Sequence, residues 1–242
     1  PLNVSKTCFM VSDNELLERL LEDPGWPFDG SLLSDTHRDL RGDAVDGSRR
    51  RIPIQQGRQA AAISAAARLR AVGRGREAFR VFRAGPSAKA SCGSAIQGIS
   101  NTALRALRVA AARSTGPLQP GSSLGFSLLF SSECGRDPLV HVTVANVKCF
   151  ASVWWHKSVS RAVLASAFDD AREVLKKKRP WSAVKQPVAA LLLTLRRIGW
   201  DLAFDQNSFK DRSGKLWPLD RFSPEFLACL LYTSDAADDS QC

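Results

Sequence analysis

The residues best suited to chemistry in this chain are arginines. Between residues 49 and 113 stand fourteen basic side chains and a single acid, Glu77, for a local net charge of +13. Thirteen of the fourteen are arginine, whose planar fork can hold phosphate oxygens two at a time. Arg49, Arg50, Arg51, Arg58, Arg68, Arg70, Arg74, Arg76, Arg80, Arg83, Arg105 and Arg108 are therefore the candidate phosphate contacts. A surface that only solubilises mixes the two signs, so a block of one sign points to an anionic polymer. Such contacts would be independent of base sequence, because phosphate contacts position a duplex without specifying it.

Other chemistries find little support. Asp169-Asp170, the one Asp pair before residue 229, falls in an amphipathic stretch and reads as a solvated helix face. His37, His141 and His156 are scattered, with no partners at ligand spacing. The six cysteines form no CxxC pair and no zinc pattern, so no metal site is expected. Gly73-Arg74-Gly75-Arg76 lacks the Gly-x-x-x-x-Gly-Lys-Ser/Thr pattern of a phosphate loop. No Ser/His/Asp or Cys/His arrangement follows from spacing. Trp154, Trp155, Trp200 and Trp217 have faces on which bases stack, but the expectation is core packing, where large aromatics dominate.

The elements that must carry the arginines read as helices. Residues 55–84 are rich in Ala and Arg, both good helix formers. Ile63, Ala67, Val72, Phe79 and Phe82 are expected to share the inward face, and Gly73 and Gly75 to divide the stretch in two. Residues 86–98 are small and suited to close packing. Ser100 or Asn101 caps a second basic helix, 101–113, with Leu104, Leu107 and Ala111 inward. Upstream, residues 1–12 read as a strand. Residues 13–22 read as a short helix capped by Asp13, with Leu16, Leu17, Leu20 and Leu21 at helical spacing. Residues 35–54 are polar and mixed, with room for a short strand or turn.

Downstream, residues 114–125 read as a loop. Asp137-Pro138 is an N-cap followed by proline at the first helical position, and the run from Leu139 to Trp155 is expected to be helix despite its alternating valines. Val159 to Lys178 is amphipathic. Pro187 to Ile198 is a strongly apolar helix closed by Gly199. Trp200 to Trp217 reads as a hairpin turning at Arg212-Ser213-Gly214, and Ser223-Pro224-Glu225 opens a last helix. The expected class is mainly α with minor β.

At 242 residues the chain can bury a sizeable core. Its net charge of +10 favours anionic partners and says nothing about fold. The excess is local: residues 1–48 hold four bases against ten acids, a net −6. No signal peptide is seen and no apolar run reaches the ~20 residues that span a bilayer. The unpaired cysteines read as free thiols of a reducing compartment, so an intracellular protein that is not secreted and has no membrane partner is expected.

Several motifs, in order, resemble a known family. Leu2-Asn3-Val4-Ser5-Lys6-Thr7 is similar to the Leu-Asn-x-x-Lys-Thr segment of non-LTR reverse transcriptases. Residues 34–42 resemble the later primer-side strand, with Arg41 interrupting the family's Leu-Gly pair. Residues 104–113, Arg136-Asp137-Pro138, Arg179-Pro180-Trp181, Ile198-Gly199-Trp200 and Ser223-Pro224 resemble the retroelement polyproteins of dinoflagellates. The resemblance implies four regions. Residues 1–54 would end a palm, 55–113 would form a basic helical thumb, and 114–228 a helical connection with a hairpin. Residues 229–242, which include a stretch similar to a translated sequencing adapter, would be a non-native tail.

It further implies an RNA-directed DNA polymerase using Mg²⁺, in the nucleus, of which this fragment grips the template–primer duplex. Lys6 would be the general acid for the leaving pyrophosphate in the intact parent, since charge builds on transferring phosphoryl oxygens. The metal-binding aspartates of the family's palm turn would precede Pro1, leaving this fragment inactive alone and without a cofactor of its own. The alternative is a stand-alone basic helical module that binds RNA or DNA without enzymatic activity. A protein scaffold meeting an acidic partner and a decayed element without function are further readings.

Overall fold

Pro53 opens the longest helix of the chain's described part. The computed structural model describes residues 22, 36–38, 43–45, 50, 52–72, 75–115, 121, 123–131 and 137–238. Within them the fold is mainly α with minor β. The strand expected over 1–12 lies outside the described residues, as does the helix expected over 13–22 except for Glu22, which is helical. The polar stretch at 35–54 supplies a short antiparallel hairpin, β1 (Thr36–Arg38) with β2 (Asp43–Val45).

Helix α1 (Pro53–Val72) and helix α2 (Arg76–Phe82) are separated around Gly75, as the glycines implied. The inward face of α1 is not the expected one. Gln55, Gln59, Ala62 and Ala66 are buried, whereas Ile63 is 43% exposed and Ala67 is exposed. Helix α5 (Asn101–Thr115) packs along α1. Alanines at the contact let two backbones approach where isoleucine would hold them apart. Phe79 and Phe82 of α2 are buried as expected.

Helix α2 runs into a π-helical turn, Arg83–Ser87, that contains Pro86. Proline offers no N–H and crowds the preceding turn, and the wider turn accommodates both defects. Two single-turn helices follow, α3 (Ala88–Ser91) and α4 (Ser94–Gln97). Ser100 then caps α5, its Oγ accepting from the Ala103 N–H at 3.3 Å. Leu104, Leu107 and Ala111 of α5 are buried. Helix α6 (Leu124–Ser131) lies against α5.

Helix α7 (Pro138–Trp155) begins as read, with Asp137 Oδ1 accepting from the Leu139 N–H at 2.8 Å. Helix α8 (Arg161–Leu175) is capped by Ser160, and α9 (Pro187–Arg197) buries every residue from Val188 to Leu195. The expected single hairpin over 200–217 is a three-stranded antiparallel meander instead. Strand β3 (Asp201–Ala203) pairs with β4 (Ser208–Lys210), which pairs with β5 (Leu216–Pro218). A 3₁₀ turn at Phe204–Gln206 and Asn207 in the left-handed region supply the extra corner. The turn expected at 212–214 is present between β4 and β5.

Asp211 organises that turn. Its Oδ1 accepts from the Ser213 N–H, the Ser213 hydroxyl and the Lys215 N–H, and its Oδ2 from Trp217 Nε1 at 2.9 Å. Desolvation pushes the carboxyl up, but the hydrogen bonds from Ser213, Trp217 and Lys215 outweigh it and hold it below its ordinary value. A depressed carboxylate contributes stability above the unfolded pKa and loses it as pH falls through the folded one. Asp211→Ala is therefore expected to lower stability at pH 7 and to shrink the loss between pH 5 and pH 2, read by urea unfolding across that range. An unchanged acid limb would refute the assignment.

The main core joins α7, α8, α9, the meander and the last helix, α10 (Pro224–Asp238). Leu227, Ala228 and Leu231 of α10 are buried in it, so the apolar stripe continues past residue 229. Trp154 and Trp200 are buried as expected and Trp217 is partly buried, whereas Trp155 is 42% exposed. Trp155 follows Trp154 in the same helix, and one position rotates a side chain by about 100° out of the core. Of two smaller clusters, one packs α1, α2, α5 and α6 together, and the other ties the basic helices to α7 by placing Val142 among Ala62, Ala90, Ile99, Leu104 and Leu107.

Candidate nucleic-acid interface

The arginines divide into those consumed by the fold and those left to solvent. Arg50 is consumed. Its guanidinium donates to the backbone oxygens of Trp181, Gln97 and Gly98 at 3.2, 2.7 and 2.8 Å. Arg108 is consumed too, bridging α5 to the cap of α7. Its Nε lies 2.8 Å and its Nη2 2.6 Å from Asp137 Oδ2. Asp137 thus caps α7 and clamps α5 with one carboxylate. A forked, charge-assisted pair of this kind is a positioning device.

Arg197, absent from the sequence reading as a functional residue, completes a cationic cage around Trp181. Its guanidinium lies 5.0 Å from the Trp181 ring, and that of Arg50 lies 5.8 Å from it. Arg197 Nε donates to Asn101 Oδ1 at 2.9 Å and Nη2 to the Ile99 oxygen at 2.5 Å. Burial lowers its pKa to about 10, which leaves it charged at neutral pH. Carbonyl dipoles and a π face take the place of a carboxylate here. This cage locks the 97–101 corner, and hence the start of α5, onto α9.

The remaining candidates face outward. Arg68 of α1, Arg80 of α2, Arg83 of the π turn and Arg105 of α5 are exposed, and none is paired with a carboxylate among the described residues. Arg58 is half-buried on α1. Arg70 and Arg76 stand in helical backbone. Lys6, Arg49, Arg51 and Arg74 lie outside the described residues. Arg113 joins the exposed set; its place eight residues after Arg105, on the same face of a helix, was the available signal. The charge of Arg83 also reaches His141, whose pKa is lowered by burial first and by that arginine second.

Arg105 and Arg113 border a groove of about 960 Å³ between α1 and α5. Its other walls are Ile63, Ala66, Ala67, Ala71, Thr102, Ala106, Val109 and Ala110. The floor is apolar and the charge is at the rim. Among the described residues no group of His, Cys, Asp and Glu is arranged to hold a metal ion, and no helix is long and apolar enough to cross a membrane. Asp169 and Asp170 are exposed on α8, as the amphipathic pattern implied. No protein-family model, curated protein or solved structure matches the chain.

Proposed function

We propose that the chain grips nucleic-acid duplex through the phosphates, as the thumb and connection of a non-LTR retroelement reverse transcriptase. The observation that carries the reading is the set of exposed arginines on α1, α2 and α5 with no carboxylate partner among the described residues. An unpaired guanidinium gains by displacing condensed counterions from a phosphate backbone. In this reading the parent is an RNA-directed DNA polymerase that works with Mg²⁺ in the nucleus. Lys6 serves as general acid there, and Arg50 and Arg108 brace the gripping helices without touching the duplex. The second reading, a stand-alone RNA- or DNA-binding module, uses the same face.

Fluorescence anisotropy with an RNA–DNA hybrid of arbitrary sequence tests the grip. Binding is expected at 50 mM salt and should weaken linearly in log–log form, with a slope of about −0.9 per neutralised phosphate. Changing the base sequence should leave the affinity alone. Absence of binding at 50 mM salt, or a slope near zero, refutes the reading. The transcript upstream separates the two versions. A Tyr/Phe-x-Asp-Asp turn shortly before Pro1 supports the polymerase, and a start codon there without a palm supports the module.

A further inference from the structure

The end of α7, the start of α8 and the turn after β5 border a cavity of about 320 Å³. Trp154, Val159 and Leu164 give it an apolar wall, and Lys157, Arg161 and Asp220 bring charge of both signs. The volume lies at the small end of ligand pockets. Two residues here are kept in a strained backbone. Lys157 has φ +51° and closes α7: its N–H donates to the Trp154 oxygen and the Ser158 N–H to the Val153 oxygen, each at 3.1 Å. Glycine ordinarily fills that place at a helix end, because an L side chain is strained there. Asn207, also at φ +51°, is the other non-glycine residue in the left-handed region among the described residues. It holds two of the residues that line this cavity. Strained residues collect at binding sites, where the surrounding structure keeps them for a purpose.

The Asn207 amide lies between opposite charges. Its Oδ1 accepts from Arg161 Nη2, and its Nδ2 donates to Asp220 Oδ2 at 3.4 Å, while no ion pair joins Arg161 to Asp220. Arg161 lies instead over the rings of Trp154 and Phe204, at 5.2 and 5.9 Å. Asp220 Oδ1 accepts from Trp154 Nε1 at 2.9 Å, which leaves the carboxylate with acceptor capacity to spare. Lys157 is exposed, and its ammonium has no carboxylate partner among the described residues. An occupant that fits brings anionic oxygen for the two cations, an N–H for Asp220 and a flat apolar body for the wall. A nucleotide whose base carries an exocyclic amine has all three, and a carboxylate accepts well from the cytosine amine. The small volume favours this pyrimidine over adenine.

We propose that this cavity binds one unpaired cytidine nucleotide, its phosphate on Lys157 and Arg161 and its base amine on Asp220. The choice of a nucleotide over other ligands of mixed charge rests on the nucleic-acid reading; the cavity and its separated charges do not. A fully paired hybrid offers no such nucleotide, so the site is separate from the arginine face of α1, α2 and α5.

Isothermal titration of the full chain with cytidine monophosphate is expected to show one site with Kd below about 1 mM. Uridine monophosphate turns a carbonyl toward Asp220, and ribose phosphate has no base; each should bind at least about tenfold more weakly. Lys157→Gly should weaken cytidine monophosphate binding about tenfold, the loss of one charge-assisted contact. The same variant should leave the urea midpoint unchanged or raise it, because glycine relieves the strain. A lysine with only a structural role would not part binding from stability in this way. Asp220→Asn keeps an acceptor for Trp154 and gains a donor, so it should abolish or reverse the preference for cytidine over uridine. No saturable binding by about 10 mM, equal affinity for the three ligands, or a Lys157→Gly variant that binds as the parent does overturns the proposal. Hybrid-duplex binding without a cytidine monophosphate site leaves the nucleic-acid reading standing and sinks this one; a cytidine monophosphate site without hybrid binding does the reverse. A short oligocytidylate that displaces cytidine monophosphate assigns the site to a strand, and one that does not assigns it to the free nucleotide.

Discussion

Gly98→Ala is expected to destabilise the chain by about 2–5 kcal/mol, a figure built from left-handed strain and overpacking in a tight contact. Gly98 has φ +64°, where an L side chain is strained. A Cβ at this position would also stand 2.5 Å from Trp181 Cζ3 and 3.2 Å from the Ala190 Cβ. Neither neighbour can yield cheaply. Trp181 is in contact with the guanidinium groups of both Arg50 and Arg197, and Ala190 is fully buried on α9. The oxygen of Gly98 is itself an acceptor for Arg50, so movement of the glycine would also loosen the cage.

Urea unfolding should show a lower midpoint at unchanged slope. Gly57→Ala is the control: a Cβ on that α1 glycine meets nothing within 4 Å, and alanine is the better helix former. It should stabilise by about 0.5–1 kcal/mol. In the Trp181→Ala background the cost of Gly98→Ala should fall toward the strain part alone, a coupling that a double-mutant cycle reads directly. If Gly98→Ala is as stable as Gly57→Ala, the close approach of residue 98 to Trp181 is wrong.

Replacing Arg68, Arg80, Arg105 and Arg113 together by glutamine is expected to weaken hybrid-duplex binding by about 10²–10³ at 50 mM salt, and to reduce the log–log salt slope by about 3–4. All four are exposed and lack a carboxylate partner among the described residues, so their removal costs the fold little. The matched control is Lys157, Lys177, Lys178 and Arg179, equally exposed and equal in charge, but on the loops flanking α8. Neutralising those four should leave the slope within about one unit, because a contact that is not made releases no counterion. Equal losses in the two sets would mean that net charge, and no particular face, attracts the duplex.

Arg108→Gln separates the arginines of the fold from those of the surface. It should lower stability through the lost Asp137 clamp while changing the salt slope far less than any of the four exposed residues.

Local sequence determined where most helices begin and end. Asp137-Pro138, Ser160 and Pro187 mark helix starts, and Gly199 marks an end, because such signals act on groups within a few residues of themselves. The alternating valines of 140–144 were resolved toward helix by the start signal and the length of the run, and that helix is present. The concentration of arginine was also plain in the residues alone.

Tertiary structure decided what each arginine is for. Arg50 and Arg108 look no different in sequence from Arg68 and Arg105, yet partners 131 and 29 residues away consume them. Long-range pairing of this kind leaves no periodic trace. The same holds for α1, where residue size predicted Ile63 inward and the closeness of α5 selected the alanines. It holds for β3, the first strand of the meander, whose corner at Phe204–Gln206 depends on packing against the core. It holds above all for the groove. Its walls come from two helices separated by three others in sequence, and only their packing sets an apolar floor between two arginines.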